Sequence, residues 1–200
     1  TNLFGMKFTK LTKICRCRQL NLRKKKQRFL FQQMNRRITK KEIEDCLTNI
    51  RTTIPDAVIR TQFIVGFPGE TDDDFEATMD VVRQTNYAQA YSFKYSRRPG
   101  TPGHDMDGQV AEDVKGERLA RLQSILNEQQ AAFNQSCIGR DITVLIEKPG
   151  KTGDQMIGRS PWLQSVVVDA NLGSIGDMVD VTVTEAHANS LQAVARRRAS

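Results

Sequence analysis

The sequence predicts a mixed α/β chain: a βα-repeat segment with a parallel sheet, followed by a small all-β barrel of OB-like kind. Three observations carry this. Residues 39–95 alternate helical and strand patterning. A long amphipathic stretch runs from Val110 to about Gln135. After Gly139 the pattern changes to about five short alternating segments separated by Gly and Asp turns.

The first helix starts at a capping box, Thr39-Lys40-Lys41-Glu42, in which the Thr oxygen and the Glu carboxylate satisfy free backbone donors. Ile43, Cys46, Leu47, Ile50 and Ile54 share one helical face, and Pro55 closes the helix. Ala57–Val65 is β-branched and apolar, as a buried parallel strand is. Gly66-Phe67-Pro68-Gly69-Glu70 breaks it. Thr71 caps a second helix whose first turn carries Asp72, Asp73 and Asp74, where negative charge suits the helix dipole. Phe75, Met79 and Val82 form its apolar stripe, and Ala88–Tyr95 is a second strand. Residues 96–109 are rich in Pro, Gly and Asp and read as a loop. Val114, Leu119, Leu122, Ile125, Leu126 and Phe133 give the long helix its apolar face. The barrel strands are expected at Asp141–Glu147, Gln155–Arg159, Gln164–Asp169, Asp177–Thr184 and Asn189–Ala195.

Charge divides the chain. Of its 30 Lys and Arg, 14 fall in residues 1–41, which hold none of the 23 acids, so the remainder carries a net charge of −7. Such a head attracts nucleic acid or anionic lipid by charge alone. Residues 1–33 are set apart as a basic segment: either an RNA-binding arm, or a disordered or aberrant leader. Residues 34–137 then form the α/β domain with its linking helix, and 138–196 the barrel. No apolar run approaches the roughly 18–20 residues of a membrane helix, and no secretory signal is visible, so a cytoplasmic location is expected. The four cysteines, Cys15, Cys17, Cys46 and Cys137, fit neither a disulfide framework nor a standard metal spacing. They read as isolated thiols, and no metal site is expected.

The turn Gly66–Thr71 is the first candidate site. Two glycines let a backbone approach a ligand, a helix N-terminus offers N–H groups, and parallel sheets bind ligands beyond the carboxyl ends of their strands. An ordinary βα turn has the same composition. On the barrel, Arg140, Lys148, Lys151 and Arg159 are candidates for RNA phosphates, and Trp162 for stacking on a base or for packing in the core.

Longer strings carry a family resemblance. Phe63-Ile64-Val65-Gly66-Phe67-Pro68-Gly69-Glu70-Thr71 with Asp74-Phe75 resembles the radical-SAM methylthiotransferases. So do Met34-Asn35-Arg36-Arg37-Ile38-Thr39, Ser92-Phe93-Lys94-Tyr95-Ser96 with Arg98-Pro99-Gly100-Thr101-Pro102, and Arg118-Leu119 to Gln129-Gln130. The segment after Gly139 resembles the family's TRAM domain, through Gly158-Arg159-Ser160 and Glu185-Ala186-x-x-Asn189-Ser190-Leu191. The resemblance covers about residues 34–195.

It implies the C-terminal part of a radical-SAM (βα) partial barrel followed by a TRAM barrel. It also implies S-adenosylmethionine and [4Fe–4S] clusters as cofactors, with Ile64, Gly66, Phe67, Pro68, Gly69 and Glu70 against the nucleoside, and Arg36 and Lys94 as possible anion ligands. The family's Cys-x-x-x-Cys-x-x-Cys motif is absent, and Cys15 and Cys17 do not replace it. Catalytic residues therefore stay unassigned, and the chain alone is expected to be inactive.

Two branches compete. Tyr91–Ser96, Arg98–Pro102 and Gly158–Gln164 resemble the tRNA branch, which methylthiolates isopentenyl-adenosine beside the anticodon. Ile54–Thr61 resembles the branch acting on a ribosomal-protein aspartate. A third reading is a non-catalytic RNA-binding fragment. The expected partner is a tRNA anticodon stem-loop, with no DNA and no membrane, and a monomer is favoured.

Overall fold

The computed structural model describes residues 40–196. The basic segment 1–33, Arg36 and the Thr39 cap lie outside the described residues, as do Cys15 and Cys17.

Helix α1 spans Lys40–Thr53, with Glu42 in its first turn and Arg51 in its last, both in the sense that the helix dipole favours. It buries Ile43 and packs Leu47 against the core. Ile54 falls past the helix end and is exposed, so it is not part of the stripe predicted for it. Strand β1 is Arg60–Val65, three residues shorter than expected, and a turn at Pro55 and Asp56 precedes it.

Helix α2 (Asp72–Thr85) begins with the Thr71 cap: Asp74 N–H donates to the Thr71 hydroxyl and the Thr71 N–H to the Asp74 carboxylate. It ends where Asn86 takes a left-handed conformation, φ 51°. Strand β2 (Gln89–Lys94) then pairs parallel with β1, in register from Arg60↔Gln89 to Val65↔Lys94. This is a βαβ unit.

One face of this sheet is covered. Ile59, Phe63 and Val65 meet Phe75, Met79, Val81 and Val82 of α2, with Leu122 and Leu126 from a later helix. Phe63 also meets Tyr87 edge-to-face at 5.6 Å. Between β2 and that later helix the sequence reads only loop, but Pro102–Asp105 forms a one-turn helix, α3. Pro102 stands in its first turn, where the missing N–H costs nothing. The later helix, α4, spans Glu112–Gln135.

The chain divides into two compact units at Leu126/Asn127, and α4 contributes residues to both. In the second unit, β3 (Asp141–Pro149), β4 (Gln155–Arg159), β5 (Ser165–Asp169), β6 (Met178–Ala186) and β7 (Ser190–Ala195) close into a barrel in the order β3-β4-β5-β7-β6. All neighbours are antiparallel except β5 and β7, which run parallel. Irregularities at Ile146/Lys148 and Val183/Glu185 bend β3 and β6, and such bulges supply the curvature that closure requires. Alternate residues point inward: Ile142, Val144 and Ile146 on β3, Val166 and Val168 on β5, Val181 and Val183 on β6, Leu191 and Ala193 on β7. The predicted all-β barrel is thus present, strand for strand.

Gly158 shows how tight the β3–β4 contact is. A Cβ there would lie 2.4 Å from Val144 Cγ1 and 2.5 Å from the Leu145 carbonyl oxygen. The backbone atom cannot swing aside as a side-chain tip can. Gly158→Ala should therefore destabilise the barrel by about 1–3 kcal/mol, read as a lower midpoint in thermal unfolding. An unchanged midpoint would show that the strands separate at no cost.

Candidate functional site

Gly66 leaves β1 at φ +74° and Gly69 follows at φ +82°, two left-handed positions within four residues. They fold the chain back at the carboxyl end of the sheet. The turn satisfies its own donors. Gly66 N–H donates to the Glu70 carboxylate at 3.0 Å, Gly69 N–H to the Gly108 carbonyl at 2.9 Å, and Glu70 N–H to the Phe67 carbonyl at 2.9 Å. Three of the backbone donors that made this turn an attractive ligand cradle are therefore committed within the chain.

Two cations on α4 complete the corner. Arg118 is buried and reaches Glu70 Oε1 at 2.9 Å and Asp72 Oδ1 at 2.6 Å. It also donates to the Glu70 carbonyl at 3.2 Å and lies over the Phe75 ring. Glu70 is as buried as its partner, so each charge is compensated where solvent cannot help. Lys115, also buried, lays its alkyl stem on Gly66: a Cβ at Gly66 would fall 2.3 Å from Lys115 Cγ. Its ammonium reaches Glu112 at 2.8 Å and lies 5.7 Å from the centre of the Tyr95 ring.

Glu112 also accepts from Lys94, at 3.3 Å. The hydrogen bonds from Lys115 and then Lys94 hold its carboxyl below the usual range. A depressed carboxylate keeps its bridge above the ordinary carboxylate range and loses it only as pH falls through the lowered value.

Ile64, half-buried on β1, and the buried Phe67 and Pro68 complete the predicted set. Phe67 meets Tyr95 edge-to-face at 5.1 Å, and the Tyr95 hydroxyl lies against Gly103. Sequence reading missed Lys115 and Arg118. Their spacing to Leu122 and Leu126 is the helical signal that puts all four on one face, but charge argued against burial.

The barrel separates the five RNA candidates. Arg140, just before β3, lies over the Trp162 ring at 5.6 Å. Trp162 is half-buried, meets Phe133 edge-to-face and packs on the barrel core. Its loop is pinned by the buried Ser160 hydroxyl, which accepts from Trp162 and Gln164 N–H, while Gln164 donates to Asn134 Oδ1 at 2.5 Å. Arg159 is exposed at the end of β4 and paired with Glu147 at 2.9 Å. Lys148 and Lys151 lie at the opposite end of the β3–β4 hairpin, exposed and without an acidic partner among the described residues. Lys148 lies eight positions along the chain from Arg140, at most about 26 Å at some 3.3 Å per residue.

Two similarities to known proteins bear on this chain. Residues 135–195 match the TRAM domain. A curated relative, tRNA-2-methylthio-N(6)-dimethylallyladenosine synthase of Agrobacterium fabrum, is 56% identical over 158 residues, covering 79% of this chain and 35% of the relative. Over those residues this chain is similar to that synthase. It spans about a third of that relative's length.

The iron–sulfur clusters implied by the sequence resemblance find no ligand set among the described residues. No group of three or more His, Cys, Asp or Glu among them is placed to hold a metal. Cys46 and Cys137 are free and fall in different units. Burial pushes the Cys137 thiol up, away from the thiolate that binds metal. No helix of the described residues is long and apolar enough to cross a membrane.

Arg118 holds the corner through a buried charge. Arg118→Ala should destabilise the first unit by about 3 kcal/mol by leaving Glu70 without its guanidinium. Asp72→Ala, at the exposed end of the same network, should cost less than about 1 kcal/mol. Urea unfolding of both variants tests this, and equal losses would refute the assignment of the buried pair as the anchor.

Proposed function

We propose that this chain is the RNA-facing part of an enzyme that adds a methylthio group to a dimethylallylated adenosine beside the anticodon of tRNA. The supporting observation is the 56% identity over 158 residues to a synthase of that name. The TRAM match over 135–195 supports the RNA half of the reading. The relative's name also favours the tRNA branch over the ribosomal-protein branch.

In this reading residues 34–137 are the late part of a (βα) barrel, 138–196 the RNA-binding barrel, and 1–33 lie outside both. The protein works in the cytoplasm, as a monomer. In the longer enzymes that this chain resembles, S-adenosylmethionine and [4Fe–4S] clusters would supply the radical and the methyl group. With no cluster ligand set among the described residues, the chain's own part is binding and orientation. Ile64, Gly66, Phe67, Pro68 and Gly69 would form the wall against an S-adenosylmethionine nucleoside, and Glu70 would set the shape of that wall through Gly66 and Arg118. Arg140, Lys148, Lys151 and Arg159 hold phosphates. Trp162 stiffens the loop beside Arg140 and offers a ring edge to a base.

A titration of an anticodon stem-loop, followed by fluorescence anisotropy, tests the RNA reading. Four phosphate contacts predict affinity falling roughly 100-fold from about 50 to about 200 mM salt. Absence of binding at the lower salt would remove RNA as the ligand. A purely RNA-binding role, favoured by the missing cluster ligands, is separated by iron content. After anaerobic reconstitution with iron and sulfide, the expected absorption spectrum shows no cluster band; a stoichiometric cluster would overturn the view that this chain only binds.

A further inference from the structure

The last turns of α4 carry Phe133 and Asn134, and both side chains belong to the barrel unit. Asn134 is 3% exposed, and both polar atoms of its amide are used. Its oxygen accepts from Gln164 Nε2 at 2.5 Å. Its nitrogen donates to the His187 carbonyl at 2.8 Å and to the Ala188 carbonyl at 3.3 Å. One side chain thus clamps the β4–β5 loop and the β6–β7 turn. The TRAM match starts at residue 135, so this clamp lies just outside it.

The clamped loop touches two of the four cations proposed to hold phosphates. Its Trp162 ring lies 5.6 Å from the Arg140 guanidinium, and its Leu163 carbonyl accepts from Arg159 at 3.4 Å. The loop is also strained. Leu163 stands at φ 64°, a left-handed backbone that a leucine keeps only where its surroundings impose it. A loop released from its anchor therefore moves away from this shape. Lys148 and Lys151 lie toward the other end of the β3–β4 hairpin, away from the clamp.

We infer that Asn134 is a positioning residue for RNA binding: from α4 it sets the loop that aims Arg140 and Arg159 at backbone phosphates, without touching RNA itself. The inference rests on the RNA reading proposed above and adds to it the group that places half of the cationic surface.

Trp162 is the chain's single tryptophan, so its fluorescence reports on the loop directly. The test uses the whole chain with Asn134→Ala and, separately, Gln164→Ala. The second variant cuts the same bond from the loop side and leaves Asn134 joined to the β6–β7 turn. Acrylamide should quench Trp162 more steeply in both variants than in the unaltered chain. Each variant should bind an anticodon stem-loop more weakly. The fall in affinity from about 50 to about 200 mM salt should shrink from roughly 100-fold to roughly 10-fold, as two of four phosphate contacts lose their place. Adding Arg140→Ala and Arg159→Ala to Asn134→Ala should weaken binding no further. Adding Lys148→Ala and Lys151→Ala should weaken it as much as in the unaltered chain. Val181→Ala is the stability control: it opens a void in the barrel core, at a fully buried position. It should lower the unfolding midpoint and leave both Trp162 quenching and RNA affinity unchanged.

Unchanged quenching and unchanged salt dependence in both variants would overturn the inference. So would an equal loss of affinity in Val181→Ala, which would reduce Asn134 to a contributor to barrel stability. Should Asn134→Ala fail to fold, Gln164→Ala alone decides. If the unaltered chain binds no RNA, the RNA reading fails and the inference falls with it, whatever Trp162 reports.

Discussion

The first unit depends on the buried pair between Glu70 and Arg118. The turn after β1 must reverse direction in a few residues, and its two left-handed glycines give it freedom without direction. Glu70 supplies the direction by accepting from Gly66 N–H, and Arg118 fixes Glu70 from α4. One carboxylate thus ties the end of a strand, the start of α2 and the face of α4 into one corner. Lys115, lying on Gly66, closes the same corner from the side. The cost of burying these charges is met because each has an opposite partner within hydrogen-bond reach.

The barrel rests on a different principle. Its core is almost wholly small β-branched and aliphatic side chains, which a tight cylinder can hold. The polar exceptions, Asn134, Ser160 and Gln164, form one connected network that pins the β4–β5 loop. Asn134 also donates to the His187 carbonyl in the β6–β7 turn. Two loops that differ widely in sequence position are thereby held by one amide side chain. Buried polar groups organised this way specify a single arrangement, because any slip leaves a donor or acceptor unmatched.

Much of this was legible in the residues. The Thr71–Asp74 cap, the parallel strands, the long helix and the five barrel strands follow local periodicity, and local rules suffice for them. The one-turn helix at Pro102–Asp105 is too short for periodicity to register. The buried Lys115 and Arg118 were hidden because their burial depends on partners 40 or more residues away in the turn and on a glycine whose missing side chain makes room. Trp162 was equally ambiguous from sequence: a lone Trp beside a basic residue suits both stacking and packing, and only the Phe133 contact shows that much of its ring is committed.

The two sheets finish their hydrogen bonding in opposite ways. Around the cylinder every strand has a neighbour on each side, so its main chain offers no template to a foreign strand. In the β1–β2 pair, among the described residues, each strand has a strand neighbour on one side alone. Handling the material at high concentration will therefore be governed by the smaller sheet. Precipitation should begin there, and a covering strand or a capping peptide along that border is the natural remedy for poor shelf life.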